Sequence, residues 1–360
     1  MAMLVAYALG AFFTGRLADR HGPRGTLLGA ASLIALGFVG CSLARDLASM
    51  TLSYAAIGLG TGATLSLPTA TIQRWFVRWR GLMVGIVVAG TGLGAFIFAP
   101  LTDYLIAQYG WRAAYSVIAL VYGGVIAIAA SFLISEPRMK GLRPFGDGEG
   151  QPGKPALRIP KVSPSELTAA QAFRSGAFWG LAAISVLSFM PSFFLNAHLV
   201  PYATDREIAA ADGARAVGMI GLASVAGRLA LTLAAGKMGW MRVLALCYAV
   251  AAASVIWLMF SADLPGLYLF AGIYGFFWGS TLALFGGAVS SFFGLKALSE
   301  LLGLLLGLSV LGGAVAPFLG GLSFDLTGSY LTALVLAAFS FAAAAIFSFL
   351  LKPPKAPGVG

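Results

Sequence analysis

Charge is what this chain has least of. Only 23 basic and 13 acidic side chains are spread over 360 residues, or 10%, where a globular domain carries roughly 25%. So few charges exclude a soluble enzyme. Histidine occurs twice. Cysteine also occurs twice, as Cys41 and Cys247, both inside apolar runs, which excludes a disulfide framework and a cysteine-ligated metal site. No Ser-His-Asp set, paired carboxylates or metal-ligand spacing occurs, and nothing in the sequence requires a cofactor. What is abundant is apolar: 59% of the chain, with 47 glycines besides. A membrane-spanning helix needs about 20 mostly apolar residues, so the composition has room for ten to twelve spans.

Apolar runs broken by charge, Pro and Gly predict eleven of them, over 1–14, 26–44, 49–72, 82–108, 113–134, 177–200, 214–235, 242–260, 265–291, 301–322 and 330–350. The first run has neither a basic leader nor a small-residue cleavage site, so it reads as a shortened helix and not a signal peptide. If successive loops alternate sides, one side receives eighteen Lys and Arg and the other four, with Arg228 left inside a span. The preference of Lys and Arg for cytoplasmic loops makes the richer side, and the C-terminus, cytoplasmic. The formal charge of +10 is then topological, and nucleic acid is not a partner.

Residues 135–173, rich in Pro, Gly and basic side chains, read as a cytoplasmic linker. They divide an N-terminal bundle, 1–134, from a C-terminal bundle, 174–351, followed by a short tail, 352–360. The halves repeat. Gly81, Gly85 and Gly90 recur 222 positions later as Gly303, Gly307 and Gly312, and Ala18, Gly22 and Leu27 recur 217 positions later as Ala235, Gly239 and Leu244. Two bundles from a duplicated unit, with a substrate site at their interface, are the architecture of secondary transporters. Glycine runs such as Gly90-Thr91-Gly92-Leu93-Gly94 lack the strand and downstream acid of a dinucleotide site, so they read as close helix packing.

The loop Gly15-Arg16-Leu17-Ala18-Asp19-Arg20-His21-Gly22-Pro23-Arg24 resembles the cytoplasmic signature of the major facilitator superfamily. Its glycines allow close helix contact and a tight turn, and Asp19 can meet basic side chains or the positive end of a facing helix. A contact available only when that side is closed biases a two-state equilibrium. Gly15, Asp19, Arg20, Gly22 and Arg24 are therefore the predicted gating residues. A merely topological basic loop is the alternative. In the second half Thr232 and Gly236 stand where Gly15 and Asp19 stand in the first, which predicts a one-sided latch.

Arg74-Trp75-Phe76, Arg80-Gly81-Leu82, Tyr109-Gly110-Trp111-Arg112, His198-Leu199-Val200-Pro201-Tyr202-Ala203-Thr204-Asp205, Ser291-Phe292-Phe293-Gly294 and Asp325-Leu326-Thr327-Gly328-Ser329-Tyr330 together resemble the monocarboxylate transporter family, particularly the branch allied to the oxalate/formate antiporters. The resemblance runs along nearly the whole chain. It implies an all-α polytopic membrane protein of two pseudo-symmetric bundles and twelve helices, functional as a monomer in the cell (inner) membrane. Carriers of this kind have both ends inside, so eleven spans imply that the chain starts at the family's second helix.

Arg228 is the most informative residue. An ionised guanidinium within a span costs at least about 2.5–3.5 kcal/mol. No acid lies between Val217 and Lys237 to offset it. Arginine grips a carboxylate through two parallel hydrogen bonds, which suits an organic anion. The resemblance matches Arg228 to the arginine that carboxylate carriers place in their eighth helix. Proton-coupled animal members have an aspartate one turn earlier, where this chain has Ser224, and a lysine in the first helix, which is not found here. With one fixed cation, a monoanion is the better charge match. A structural charge bonded to backbone carbonyls is the alternative for Arg228.

Histidine is the side chain that can change charge near physiological pH, which makes His198 a candidate proton carrier, with an ordinary interface histidine as its alternative. Asn196 is a further polar candidate. Tyr274, Phe277, Trp278 and Thr281, at spacings of three and four, would share a helix face and form an aromatic wall for a small substrate, or else pack in a core. The expected function is movement of a small organic anion, a monocarboxylate, by alternating access, with a coupled proton or an exchanged anion. The alternatives are proton-coupled efflux of a neutral or hydrophobic compound and a non-transporting sensor or fragment.

Overall fold

The computed structural model describes residues 2–146, 167–261 and 263–354. The centre of the predicted linker and the end of the predicted tail lie outside the described residues. Within them the chain is helical: α1 Ala2–His21, α2 Pro23–Leu43, α3 Leu47–Thr61, α4 Ala63–Trp75, α5 Arg80–Phe132, a short α6 Ala169–Phe173, then α7 Gly176–Thr204, α8 Ala210–Met238, α9 Trp240–Phe260, α10 Leu264–Trp278, α11 Thr281–Phe293, α12 Leu298–Ala314, α13 Ala316–Thr327 and α14 Leu331–Leu350. Among the described residues, eight stretches are long and apolar enough to cross a membrane. Large apolar side chains such as Phe132, Leu222, Phe260 and Phe349 stand exposed on the outside, as a lipid-facing surface requires.

The eleven predicted runs are all present, with two differences. First, the helices extend beyond the apolar runs into charged residues; α1 continues through Arg16 and Arg20 to His21. Hydropathy marks only the part of a helix that sits in hydrocarbon, while backbone hydrogen bonding continues past it. Second, three predicted spans are each two helices in sequence. α3 gives way to α4 at Gly62, α10 to α11 at Gly279 and Ser280, and α12 to α13 at Val315. Conversely, α5 holds two predicted spans, which meet at Gly110 with φ 79°.

The duplicated unit is visible in the packing. Gly10 of α1 lies against the carbonyl of Leu59, and Gly227 of α8 against that of Phe276; Gly58 lies against Met3, and Gly275 against Ile220. Each of these pairs maps onto the other by the same 217-residue offset. Gly22 and Gly239, related likewise, both join antiparallel helices with φ 92° and 94°, where an L side chain is strained. The two glycine helices of the 222-residue repeat cross between the halves. Gly81 and Gly85 of α5 meet the backbone of Thr232 and Arg228 in α8, while Gly303 and Gly307 of α12 meet Ala11 and Ala8 in α1.

These crossings occupy one end of the bundle, the end that carries Arg16, Arg20, Arg24, Arg74 and Arg80 and is called the basic end below. Towards the other end the halves separate. On α8 the face holding Thr232 and Arg228 is buried, but at Gly221 and Gly218 it is exposed, with nothing within 4 Å of where a methyl would stand. On α5, Val84 and Val88 are buried and Thr91 is exposed. We read these faces, exposed beyond Arg228 and Val88, as the walls of a cleft that opens away from the basic end.

Replacing Gly22 or Gly239 with alanine should cost about 1–3 kcal/mol for the forced backbone. Thermal unfolding in detergent should show both variants destabilised, and Gly25→Ala, where the added methyl meets nothing within 4 Å, close to unchanged.

Candidate functional site

Two charged centres lie between the halves. The first is at the basic end. Asp19, near the end of α1, accepts a hydrogen bond through Oδ1 from Arg74 Nη2 at 2.6 Å and through Oδ2 from the backbone N–H of Glu300 at 2.9 Å. Glu300 is in the first turn of α12, whose N–H groups lack partners within the helix and carry its positive dipole end. One carboxylate thus ties α1 to α4 in its own half and to α12 in the other. Its side chain is 8% exposed and that of Arg74 11%, and removing one member of so buried a pair costs about 3–5 kcal/mol. Arg74 Nη2 also reaches the Leu295 carbonyl at 3.4 Å, Arg16 stands 3.8 Å from the Glu300 carboxylate, and Gly15 abuts the Ser299 carbonyl.

The predicted latch used Asp19 with Arg20 and Arg24, and this requires correction. Both arginines are exposed, and neither forms an ion pair or hydrogen bond among the described residues. Arg20 follows Asp19 by one residue, so the helix turns it about 100° away from the carboxylate; Arg24 sits in the first turn of α2 beyond the Gly22 bend. Arg74, read from sequence only as part of a family motif, is the partner. At the corresponding place in the second half Gly236 has open space beside it, and among the described residues no carboxylate joins α8 to α5 there.

The second centre is Arg228, 8% exposed. Nε donates to the Gly279 carbonyl at 2.8 Å, and Nη1 donates to the Val88 carbonyl at 3.0 Å and to Thr91 Oγ1 at 3.2 Å. Gly279 lies at the break between α10 and α11, whereas Val88 and Thr91 belong to α5, so the guanidinium spans both halves. No carboxylate pairs with it among the described residues. A guanidinium has five N–H donors; the two on Nη2 have no acceptor among the described residues. Arg228 lies where the sealed part of the interface gives way to the cleft.

Trp278 immediately precedes Gly279, and its Nε1 is buried with no partner among the described residues. Its ring lies parallel to that of Tyr274, 5.4 Å away at 2°. Tyr274 is 1% exposed and packs on Phe270 and Phe341 in the core of the C-terminal bundle. Phe277, on the same helix, packs against Phe276, and only Thr281 is cut off from the predicted four-residue face, because α10 ends at Trp278 and Thr281 opens the next helix. Ser224, one turn before Arg228, is buried against Gly279 and bonds the Gly221 carbonyl at 2.6 Å.

His198 and Asn196 stand apart from this group. His198 Nε2 donates to the Pro317 carbonyl at 2.9 Å, leaving Nδ1 to accept from Tyr330 Oη at 3.3 Å; the ring stacks on Phe194. It thereby joins α7, α13 and the start of α14. Asn196 is exposed and bonds the Ser192 carbonyl at 2.8 Å. Thr91, Val88 and Arg74 had no sequence signal as site residues, because their roles depend on a helix from the other half or on a residue far along the chain.

A family model described as the Major Facilitator Superfamily matches residues 1–297. The chain is 27% identical to human monocarboxylate transporter 11 over 96% of its own length and 72% of the relative's. It is 24% identical to the uncharacterized MFS-type transporter YhjX of Escherichia coli (strain K12) over 83% and 71%. Among solved structures it is similar to FucP, a transporter of the superfamily, in the outward conformation (TM-score 0.70, 15% identity, covering 98% of this chain and 88% of that one). It is also similar to the human organic anion transporter MFSD10 (TM-score 0.73, 17% identity, covering 96% and 82%).

Asp19→Asn and Arg74→Gln should each lengthen the distance between spin labels placed at residues 25 and 296, read by pulsed electron resonance. The double variant should add little, because the two residues act as one unit. Unchanged distances in both single variants would remove Asp19 and Arg74 from the gate.

Proposed function

Because the chain belongs to the Major Facilitator Superfamily of membrane transporters, we propose that it moves a small organic monoanion, a monocarboxylate, by alternating access between its two bundles. The observation that carries this reading is Arg228: a buried cation between the halves, at the floor of a cleft, with no acid partner and two N–H donors unused among the described residues. A carboxylate entering the cleft would meet those donors and provide the negative charge that the site lacks. Trp278, beside the Gly279 whose carbonyl Arg228 holds, carries a buried Nε1 N–H without a partner among the described residues, a donor that a rearrangement of the site would turn to a second oxygen. The resemblance to monocarboxylate transporters, among them human monocarboxylate transporter 11, supports the same solute class.

The basic end is read as cytoplasmic, from the loop charges, and the conformation described is then outward-facing. In this state Asp19 holds the inner side shut. Solute bound at Arg228 would compete with the Val88 carbonyl and Thr91 hydroxyl for the guanidinium. Replacing contacts that tie α8 to α5 with contacts to a mobile anion loosens the sealed interface, which is the differential interaction that a two-state carrier needs. His198, held by Pro317 and Tyr330, has no contact with this site, so the coupling of a proton, if the carrier uses one, falls to another group or to the solute itself.

Arg228 is also bonded to two backbone carbonyls, and that observation favours one other reading, a structural arginine in an exporter of neutral compounds. Uptake in proteoliposomes separates the two. A screen of radiolabelled monocarboxylates, dicarboxylates and amino acids, with and without a pH gradient, should show saturable uptake of a monocarboxylate. Arg228→Ala should abolish it, and Arg228→Lys, which keeps the charge but loses the planar fork, should lose most of the affinity. Uptake by Arg228→Ala with unchanged affinity would refute the assignment.

A further inference from the structure

On the basic side of Arg228, α4 of the first half faces α11 of the second. Thr69 Cγ2 lies 3.1 Å from where a methyl on Gly286 would stand, and Gln73 Nε2 lies 3.6 Å from it. Thr69 and Gly286 are 217 positions apart, the offset that relates the halves. A residue that touches its own counterpart lies on the axis relating the two units, so this contact marks the central axis of the molecule. A cavity of about 10 Å³ opens there, lined by Ser66, Thr69 and Val88 from one half and by Leu282, Phe285 and Gly286 from the other.

The α4 side of this contact is polar. Ser66, Thr69 and Gln73, at spacings of three and four, form one stripe on the helix, and all are buried, Thr69 at 4% exposure. Ser66 bonds the Gly62 carbonyl, and Gln73 Nε2 bonds that of Thr69. Thr69 Oγ1 and Gln73 Oε1 find no hydrogen-bond partner among the described residues, an arrangement that is costly to keep buried. The cavity is about the size of one water molecule and far too small for a carboxylate. Val88, whose carbonyl holds Arg228, lines it on one side, and Arg74 of the latch follows Gln73 directly. The stripe thus runs along the axis from the Arg228 centre to the gate.

We propose that Thr69, flanked by Ser66 and Gln73, is a hydrogen-bonding subsite for the oxygen atoms of the transported anion and its water, shut in this conformation and bared when the halves part at the basic end. It rests on the alternating-access reading above. Parting α4 from α11 gives the unpaired oxygens partners, and so favours an opening that the Asp19 latch opposes.

The test uses the full chain with Cys41 and Cys247 replaced by alanine and a single cysteine at Ser66, Thr69, Gln73 or Leu67. Leu67, fully buried within the N-terminal bundle, is the control. An impermeant methanethiosulfonate is applied to right-side-out and to inside-out membrane vesicles. Thr69→Cys and at least one of its two stripe neighbours should react from the basic side only, and Leu67→Cys should not. Adding Asp19→Asn should speed the reaction about tenfold or more, the shift expected from losing a charge-assisted hydrogen bond. Lactate, or another monocarboxylate that is taken up, should slow labelling. Thr69→Val should raise the KM for transport from the basic side about three- to tenfold, the worth of one hydrogen bond, with the KM from the other side unchanged; Thr69→Ser should restore it.

Stripe and control cysteines that react alike, reaction from the opposite side only, or no protection by an anion that is transported would each overturn the subsite. A complete lack of monocarboxylate uptake would instead overturn the reading of Arg228, on which the sidedness of labelling does not depend.

Discussion

The structure depends on helix backbones touching. At the basic end α12 lies on α1 and α5 on α8, in each case with glycines set against the carbonyls of the partner helix. Any larger residue at Gly303 or Gly81 would hold the pairs apart. In a membrane there is no hydrophobic drive between helices, because lipid is as apolar as they are, so close packing and hydrogen bonds must hold the halves together. Asp19 adds the hydrogen bonds. Its two oxygens are shared between an arginine of its own half and the first-turn N–H of a helix in the other half. A carboxylate so placed is satisfied only while the two bundles are docked at this end.

Arg228 marks where that docking stops. The crossing of α5 on α8 brings two oxygens of α5 within reach of the guanidinium, and the helix break at Gly279 frees a carbonyl for it from the other side. Those neutral acceptors offset part of the cost of holding a cation within a span, and they leave its net charge uncompensated. The same crossing that seals the basic end therefore presents an unpaired positive charge to the cleft beyond it. Along the axis, the charge at Arg228, the buried hydroxyls and carboxamide of α4 and the ion pair at Asp19 form a polar succession inside a mostly apolar molecule.

Much of this was legible from the chain. Membrane spans need long apolar runs, and each predicted run is helical. The 217- and 222-residue repeats reappear as equivalent glycine contacts and as the matched φ angles of Gly22 and Gly239. Asp19 was legible as a group that meets basic side chains or a helix end, and it meets both. The breaks within the spans were not legible, because Gly62 and Gly279 adopt ordinary helical angles and only their surroundings interrupt the hydrogen bonding. The predicted face stops short of Thr281 for the same reason: spacing places Thr281 beside Tyr274, Phe277 and Trp278 only if the helix continues to it.

What the sequence determined by itself is what local chemistry can fix: that the chain lies in a membrane, that it is built twice, and that Asp19 and Arg228 are charges in need of an explanation. Tertiary structure alone decided what they touch. Arg74 is 55 residues from Asp19 and Glu300 281 away, and Val88 is 140 from Arg228. Partnerships over such separations are set by which helices cross and at what height. That depends on the packing of whole helix faces, and no pattern within one helix records it.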